Sequence, residues 1–250
     1  MKREKKSKKW KEILVGILVA VIGLTIGCVI YINDDYQADE MAMSLIETPA
    51  EGVHLIIDEE NRMAFVPEHP VAALIFYPGG KVEPESYAPL MSALAERNIL
   101  AAIVPMPANL AVLDIDGAEG FVEEFSEIET WYMGGHSLGG SMAASYLADQ
   151  LYQNTYDGLI LLASYSTADL SESGISALSI YGDQDQVLNH EKYEKYYSNL
   201  PKGNTFEFVI EGGNHAQFGS YGQQDGDGTS MISAEDQLKQ TVDAIEDFMK

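Results

Sequence analysis

Ten residues, Trp131-Tyr132-Met133-Gly134-Gly135-His136-Ser137-Leu138-Gly139-Gly140, constrain this chain more than any other stretch. Gly135, Ser137 and Gly139 fall in a G-x-S-x-G spacing, which puts a serine on a tight turn between a strand and a helix with its hydroxyl projecting from the backbone. Small residues on both sides let such a turn close without side-chain collision. The flanks fit this reading. Residues 129–133 are short, partly β-branched and aromatic, as a strand requires, and residues 141–152 run through Met, Ala, Leu and Tyr, as a helix requires. The bland alternative is a glycine-rich turn with an idle serine. What separates the two is whether the rest of the chain supplies partners for that hydroxyl.

The chain has 250 residues, 46% of them apolar, enough for one domain of roughly 200 residues with a packed core and an appendage. The appendage is N-terminal. Lys2, Arg3, Lys5, Lys6, Lys8, Lys9 and Lys11 precede residues 13–32, twenty residues without charge, the length of a bilayer-spanning helix. A cleaved secretion signal has a shorter apolar core and a small-x-small exit, whereas here the run continues to Asn33. A lipid-modified Cys28 is the other alternative, although Thr25 stands where the familiar pattern has an aliphatic residue. The sequence therefore predicts a basic cytoplasmic tail over 1–12 and an uncleaved membrane anchor over 13–32. A polar tether with one short helix follows over 33–51, then a domain over 52–250 outside the cell membrane. Seven of the 15 Lys and Arg and two of the 39 Asp and Glu precede the anchor, leaving eight basic against 37 acidic residues, a balance of −29. Such a surface repels phosphates, so nucleic acid is excluded as a partner. The single cysteine lies in the apolar stretch, and the domain has no disulfide.

From Gly52 onward strand-like and helix-like segments alternate. Residues 53–58 and 62–66 read as a hairpin, 71–77, 99–104, 158–163 and 177–181 as buried strands, and 205–210 as a further strand. Residues 84–97, 117–127, 191–200 and 234–249 read as helices around the serine turn and its own helix. This alternation implies an α/β fold with a mainly parallel sheet covered by helices on both faces. In such a sheet reactive groups gather at the carboxyl ends of strands. A serine hydroxyl is a weak nucleophile and needs a base, which in turn needs an acid to hold its tautomer. Of five histidines, His54, His69 and His190 lie in a strand, a Pro-flanked loop and a helix start, and His136 diverges from the serine on the turn. His215 follows the strand over 205–210 through Glu211-Gly212-Gly213-Asn214 and is the base by elimination. The acid follows the strand ending at Tyr181, where Asp183 and Asp185 compete. Asp183 adjoins Gly182 and suits a backbone cap, while Asp185 has the reach to return to the sheet. Asp185 is preferred. The oxyanion donors expected are the Leu138 amide and, in Tyr77-Pro78-Gly79-Gly80-Lys81, the amide of Gly80, with Lys81 next to it.

With these segments in this order, the chain resembles the α/β-hydrolase superfamily over about 53–250. Residues 75–82 (IFYPGGKV), 134–140 (GGHSLGG) and 213–219 (GNHAQFG) are similar to the small, lidless branch related to dienelactone hydrolases, often with an N-terminal anchor. The resemblance implies the α/β-hydrolase fold and a serine esterase without cofactor or metal. Two departures stand: Pro78 occupies the position where many members have a histidine, and the nucleophile is serine where dienelactone hydrolases use cysteine. Only about a dozen residues separate the strands near Ala163 and Ala177, too few for a helical cap, so the site is expected to be open. Lys81, Tyr165, Phe218 and Leu110 are candidate substrate walls. Asp225-Gly226-Asp227-Gly228 lacks the spaced ligands of a calcium loop and reads as solvated. The expected function is cleavage of small-molecule or lipid esters. The alternatives are acyl transfer to a cell-envelope hydroxyl, with the same residues, and a catalytically silent binding module on this fold.

Overall fold

The computed structural model describes Trp10, residues 13–25, Gly27 and residues 34–250. The chain divides into two compact units, Met1–Asp35 and Tyr36–Lys250. In the first, residues 13–25 are helical and their apolar side chains are exposed. Of the expected anchor over 13–32, Ile26 and residues 28–32, Cys28 included, lie outside the described residues, as does all of the basic tail except Trp10; among the described residues no helix is long and apolar enough to cross a membrane.

The second unit is built on one sheet of eight strands in the order β1-β2-β4-β3-β5-β6-β7-β8. The strands are β1 (Val53–Ile57), β2 (Met63–Pro67), β3 (Ala72–Tyr77), β4 (Ile99–Ile103), β5 (Trp131–His136), β6 (Gly158–Leu162), β7 (Ser176–Gly182) and β8 (Thr205–Ile210). The β1–β2 and β2–β4 pairings are antiparallel and all the others parallel. The central strands β3, β4, β5 and β6 are buried along their whole length, which is why they read as unbroken apolar runs without alternation. Their side chains point alternately to two cores. Leu74 and Phe76 meet helix α2 (Ala88–Ala95) and helix α6 (Ala234–Phe248) through Leu90, Met91, Leu94, Val242 and Ile245. Ala73, Ile75 and Tyr77 face the opposite way, with Ala143, Ala144 and Leu147 of helix α4 (Leu138–Gln150). Each fully buried Leu or Ile side chain contributes about 1.5–3 kcal/mol.

Three segments depart from expectation. The stretch read as a tether over 33–51 is, from Tyr36 onward, part of the domain. Its helix α1 (Glu40–Glu47) is capped by Asp39, whose carboxylate accepts the Ala42 N–H at 2.9 Å, and Leu45 and Ile46 pack on the core. The helix expected over 117–127 shrinks to a single turn, α3 (Phe121–Glu124), because Gly120 enters it in the left-handed region at φ 77°. The helix expected over 84–97 begins as a 3-10 turn, Pro84–Tyr87, before α2. The helix expected over 191–200 is α5 (His190–Tyr196), continued by a 3-10 turn, Tyr197–Asn199. Between β6 and β7, residues 163–175 contain no helix or strand, as a capless site requires.

Candidate active site

Strand β5 ends at His136 and helix α4 starts at Leu138, so Ser137 alone makes the turn. Its backbone sits at φ 52°, ψ −121°, a conformation a side chain rarely adopts and one that stores about 1–3 kcal/mol of strain. The surroundings hold it there. Its N–H donates to the Leu162 carbonyl at 2.9 Å, and its carbonyl accepts from the Ser164 hydroxyl at 2.6 Å. The glycines are sterically required: a Cβ on Gly135 would lie 2.6 Å from the backbone of Gly139 and Gly140, and one on Gly139 would collide with the Tyr77 and Pro78 carbonyl oxygens. Helix α4 thus crosses β3 and β5 backbone to backbone.

His215 lies beyond β8, in a loop fastened to α6. The buried Gln237 accepts the Asn214 N–H at 3.0 Å and donates to the Asn214 carbonyl at 2.8 Å, while the Ala216 N–H donates to Asp227 at 2.9 Å. The His215 Nδ1 stands 2.8 Å from Asp185 Oδ2, and both residues are buried. The other Asp185 oxygen accepts the Val187 and Leu188 N–H groups, each at 2.8 Å, which aims the carboxylate. Asp183 does something else: it accepts the Gly212 N–H at 2.7 Å and ties the β7 and β8 loops together. With Nδ1–H donated to Asp185, Nε2 is the proton acceptor; it is buried and, among the described residues, has no hydrogen-bond partner. Ser137 and His215 line one pocket of about 230 Å³ together with Leu138, Ser141, Ser164, Tyr165 and Asn189. No hydrogen bond joins serine and histidine, a separation that a bound substrate commonly closes.

The loop Pro78-Gly79-Gly80-Lys81 comes off β3 beside this pocket. A Cβ on Gly80 would lie 3.0 Å from the Leu138 side chain and 3.8 Å from Leu110, so Gly80 abuts the first residue of α4. Among the described residues neither the Gly80 nor the Leu138 amide makes a hydrogen bond, whereas the Lys81 N–H donates to the Asn109 carbonyl at 2.8 Å and is taken. Tyr87 braces the loop from behind. Its hydroxyl accepts the Gly79 N–H at 2.9 Å and lies 2.8 Å from His136 Nδ1. Burial, and next the charge of His215, hold the His136 pKa well below its ordinary value, so the ring is neutral; Tyr87 donates to Nδ1 and the proton sits on Nε2. The His136 and His215 rings lie 4.4 Å apart between centroids.

Of the expected walls, Tyr165 lines the serine pocket and stacks on Tyr196 at 5.7 Å, 14° from parallel. Lys81, Leu110 and Phe218 do not line it. Phe218 instead borders a separate cleft of about 770 Å³ between the loop after His215 and helices α1, α2 and α6. The sequence reading missed Ser141, Ser164, Leu188 and Asn189, although Ser164 and Asn189 lie just beyond the carboxyl ends of β6 and β7, where the topology directs attention. Among the described residues no group of three His, Cys, Asp or Glu side chains is placed to hold a metal ion.

A parallel sheet with an antiparallel edge, a strained serine between β5 and α4, and a carboxylate-backed histidine beyond β8 define a doubly wound α/β protein of hydrolase type. The chain belongs to the alpha/beta hydrolase family, whose model matches residues 73–239. Among solved structures it is similar in fold to TT1662 from Thermus thermophilus, at 16% identity over 79% of this chain and 98% of that one, with a TM-score of 0.58. Est1E from Butyrivibrio proteoclasticus is similar at 15% identity over 80% and 98%, TM-score 0.56. Carboxyl esterase 2 from Tuber melanosporum is similar at 11% identity over 87% and 92%, TM-score 0.60. No curated protein sequence matches the chain.

Proposed function

We propose that this chain is a serine hydrolase of carboxylic esters. Ser137 Oγ attacks the ester carbonyl while its proton passes to His215 Nε2; Asp185 holds the ring tautomer and faces the imidazolium that forms. The Leu138 and Gly80 N–H groups receive the oxyanion. The tetrahedral intermediate collapses as the imidazolium protonates the leaving alcohol, and water, deprotonated by the same nitrogen, then releases the acid. The observation that carries this reading is a buried Asp185–His215 pair whose histidine lines the same pocket as Ser137. One of these structural neighbours is named a carboxyl esterase, which agrees with ester as the substrate class.

The pocket volume of about 230 Å³ falls below the roughly 300–1,000 Å³ of sites that hold drug-sized ligands, which favours short acyl groups. Kinship with the lidless branch related to dienelactone hydrolases fits the helix-free crossing over 163–175. The Lys-rich start and the uncharged run over 13–32 support a single-pass anchor with the domain outside the cell membrane. The test is a fluorophosphonate probe together with p-nitrophenyl esters from acetyl to dodecanoyl. Expected are labelling and turnover that prefer the shortest chains and that Ser137→Ala reduces on the order of 10⁶-fold. A folded wild-type chain that neither labels nor turns over any ester refutes the reading.

A further inference from the structure

The first residues of the domain are stitched to both loops that the proposed reaction uses. Tyr36 forms a parallel bridge with Val82: its N–H donates to the Lys81 carbonyl at 2.8 Å, and its carbonyl accepts the Glu83 N–H at 3.0 Å. Its hydroxyl accepts the Asp225 N–H at 3.1 Å, and its ring packs on Tyr221 at 5.5 Å. Two residues on, the Ala38 N–H donates to the Glu83 carboxylate at 2.9 Å, and the Asp39 N–H donates to the Ser220 carbonyl at 2.8 Å. The Ser220 N–H in turn donates to the Ser86 carbonyl at 2.7 Å. These bonds close a ring that runs from the glycine loop after β3, through residues 36–39, to the loop that follows His215.

The ring bears on one strained residue. Lys81, the neighbour of Gly80, sits in the left-handed region at φ 62°, which persists in a residue with a Cβ only when its surroundings over-determine it. Two main-chain bonds do so from opposite sides, Lys81 N–H to Asn109 and Lys81 carbonyl from Tyr36. Release of either bond lets the peptide relax, and with it the direction of the Gly80 amide. We propose that Tyr36 is a positioning residue: its main chain locks Lys81 and thereby aims the Gly80 N–H at the developing oxyanion, while its side chain ties this lock to the loop beyond His215. The proposal rests on the ester-hydrolase reading given above.

The test uses the full chain with Tyr36→Pro, which deletes the donor to Lys81, and Tyr36→Phe, which deletes only the acceptor for Asp225. Two readouts are taken: p-nitrophenyl acetate kinetics, and hydrogen exchange of peptides covering 79–83 and 219–226. Tyr36→Pro is expected to lower kcat at least 10-fold with KM within twofold and to speed exchange over 79–83. Its affinity for a trifluoromethyl ketone, which mimics the tetrahedral adduct, falls in step with kcat. Tyr36→Phe keeps kcat within about threefold and speeds exchange only over 219–226. Unchanged exchange over 79–83 in Tyr36→Pro overturns the lock, and faster exchange with unchanged kcat overturns its role in positioning. If Tyr36→Pro does not fold, Tyr36→Phe decides: exchange over 219–226 as slow as in the wild type overturns the tie between the loops. A wild-type chain that turns over no ester is a different failure, visible before any Tyr36 variant is made; it removes the hydrolase reading and this proposal with it.

Discussion

His136 makes a pH-dependent contribution to stability whose size follows from its surroundings. The ring is fully enclosed, its Nδ1 is occupied by the Tyr87 hydroxyl, and the His215 ring lies against it. Burial first and the charge of His215 second push its pKa well below the ordinary histidine range. In the unfolded chain the same ring takes up a proton near pH 6.5. Below that pH the unfolded state therefore binds a proton that the folded state refuses, and stability falls as pH falls, by up to about 1.4 kcal/mol per unit. Between pH 7.5 and 5.0 the loss due to this one ring reaches about 2 kcal/mol. His136→Asn supplies an oxygen where Nδ1 stood, keeps the Tyr87 hydrogen bond and removes the titration. Urea unfolding of both chains at pH 7.5, 6.5, 5.5 and 5.0 measures the effect, since carboxylates that titrate in the same window are common to the two. The stability advantage of the wild type over His136→Asn should shrink by about 2 kcal/mol across the series. Parallel profiles would show that the folded ring accepts a proton after all, and the argument that its enclosure keeps it neutral would be wrong.

The two aspartates of the β7 loop should separate cleanly. Asp185→Asn is expected to lower kcat on the order of 10⁴-fold by losing the tautomer control of His215, whereas Asp183→Asn leaves kcat within a few-fold and weakens the Gly212 contact by about 1–2 kcal/mol; kinetics and urea midpoints read both. Gly139→Ala forces a methyl group onto two carbonyl oxygens that cannot yield, and should destabilise by more than about 3 kcal/mol, seen as loss of folded chain. Gly226→Ala, with open space around it but φ +82°, should cost only about 1–2 kcal/mol in the same assay.

The parts of the fold that local sequence dictates were legible. Residues 72–77 and 99–103 announce central parallel strands because nothing polar interrupts them, and the glycines at 135 and 139 announce a turn that tolerates no side chain. Asp185 was preferred to Asp183 because it stands two residues farther along the loop and so has more reach to return to the sheet. What depends on distant packing was not legible. Tyr87 lies 49 positions from His136, and only the folded sheet brings its hydroxyl between that ring and Gly79. The residues from Tyr36 to Glu51 look like a linker because much of their anchoring, at Tyr36 and Asp39, is made by main-chain groups, which carry no sequence signature. Phe218 looked like a wall of the serine pocket from its nearness to His215 in sequence, yet the 3-10 turn Ala216–Phe218 delivers it to the other cleft.

Helix α4 has a bearing on how so acidic a molecule could shelter a negatively charged intermediate. The whole chain carries a formal charge of −24, and among the described residues no lysine or arginine lines the pocket around Ser137. The thirteen residues of α4 start directly behind that hydroxyl, so their aligned peptide dipoles present about half a positive elementary charge there. In the proposed reaction the polypeptide's own amides would thus take the place of a cation, with no need of a basic side chain whose field the surrounding carboxylates would cancel.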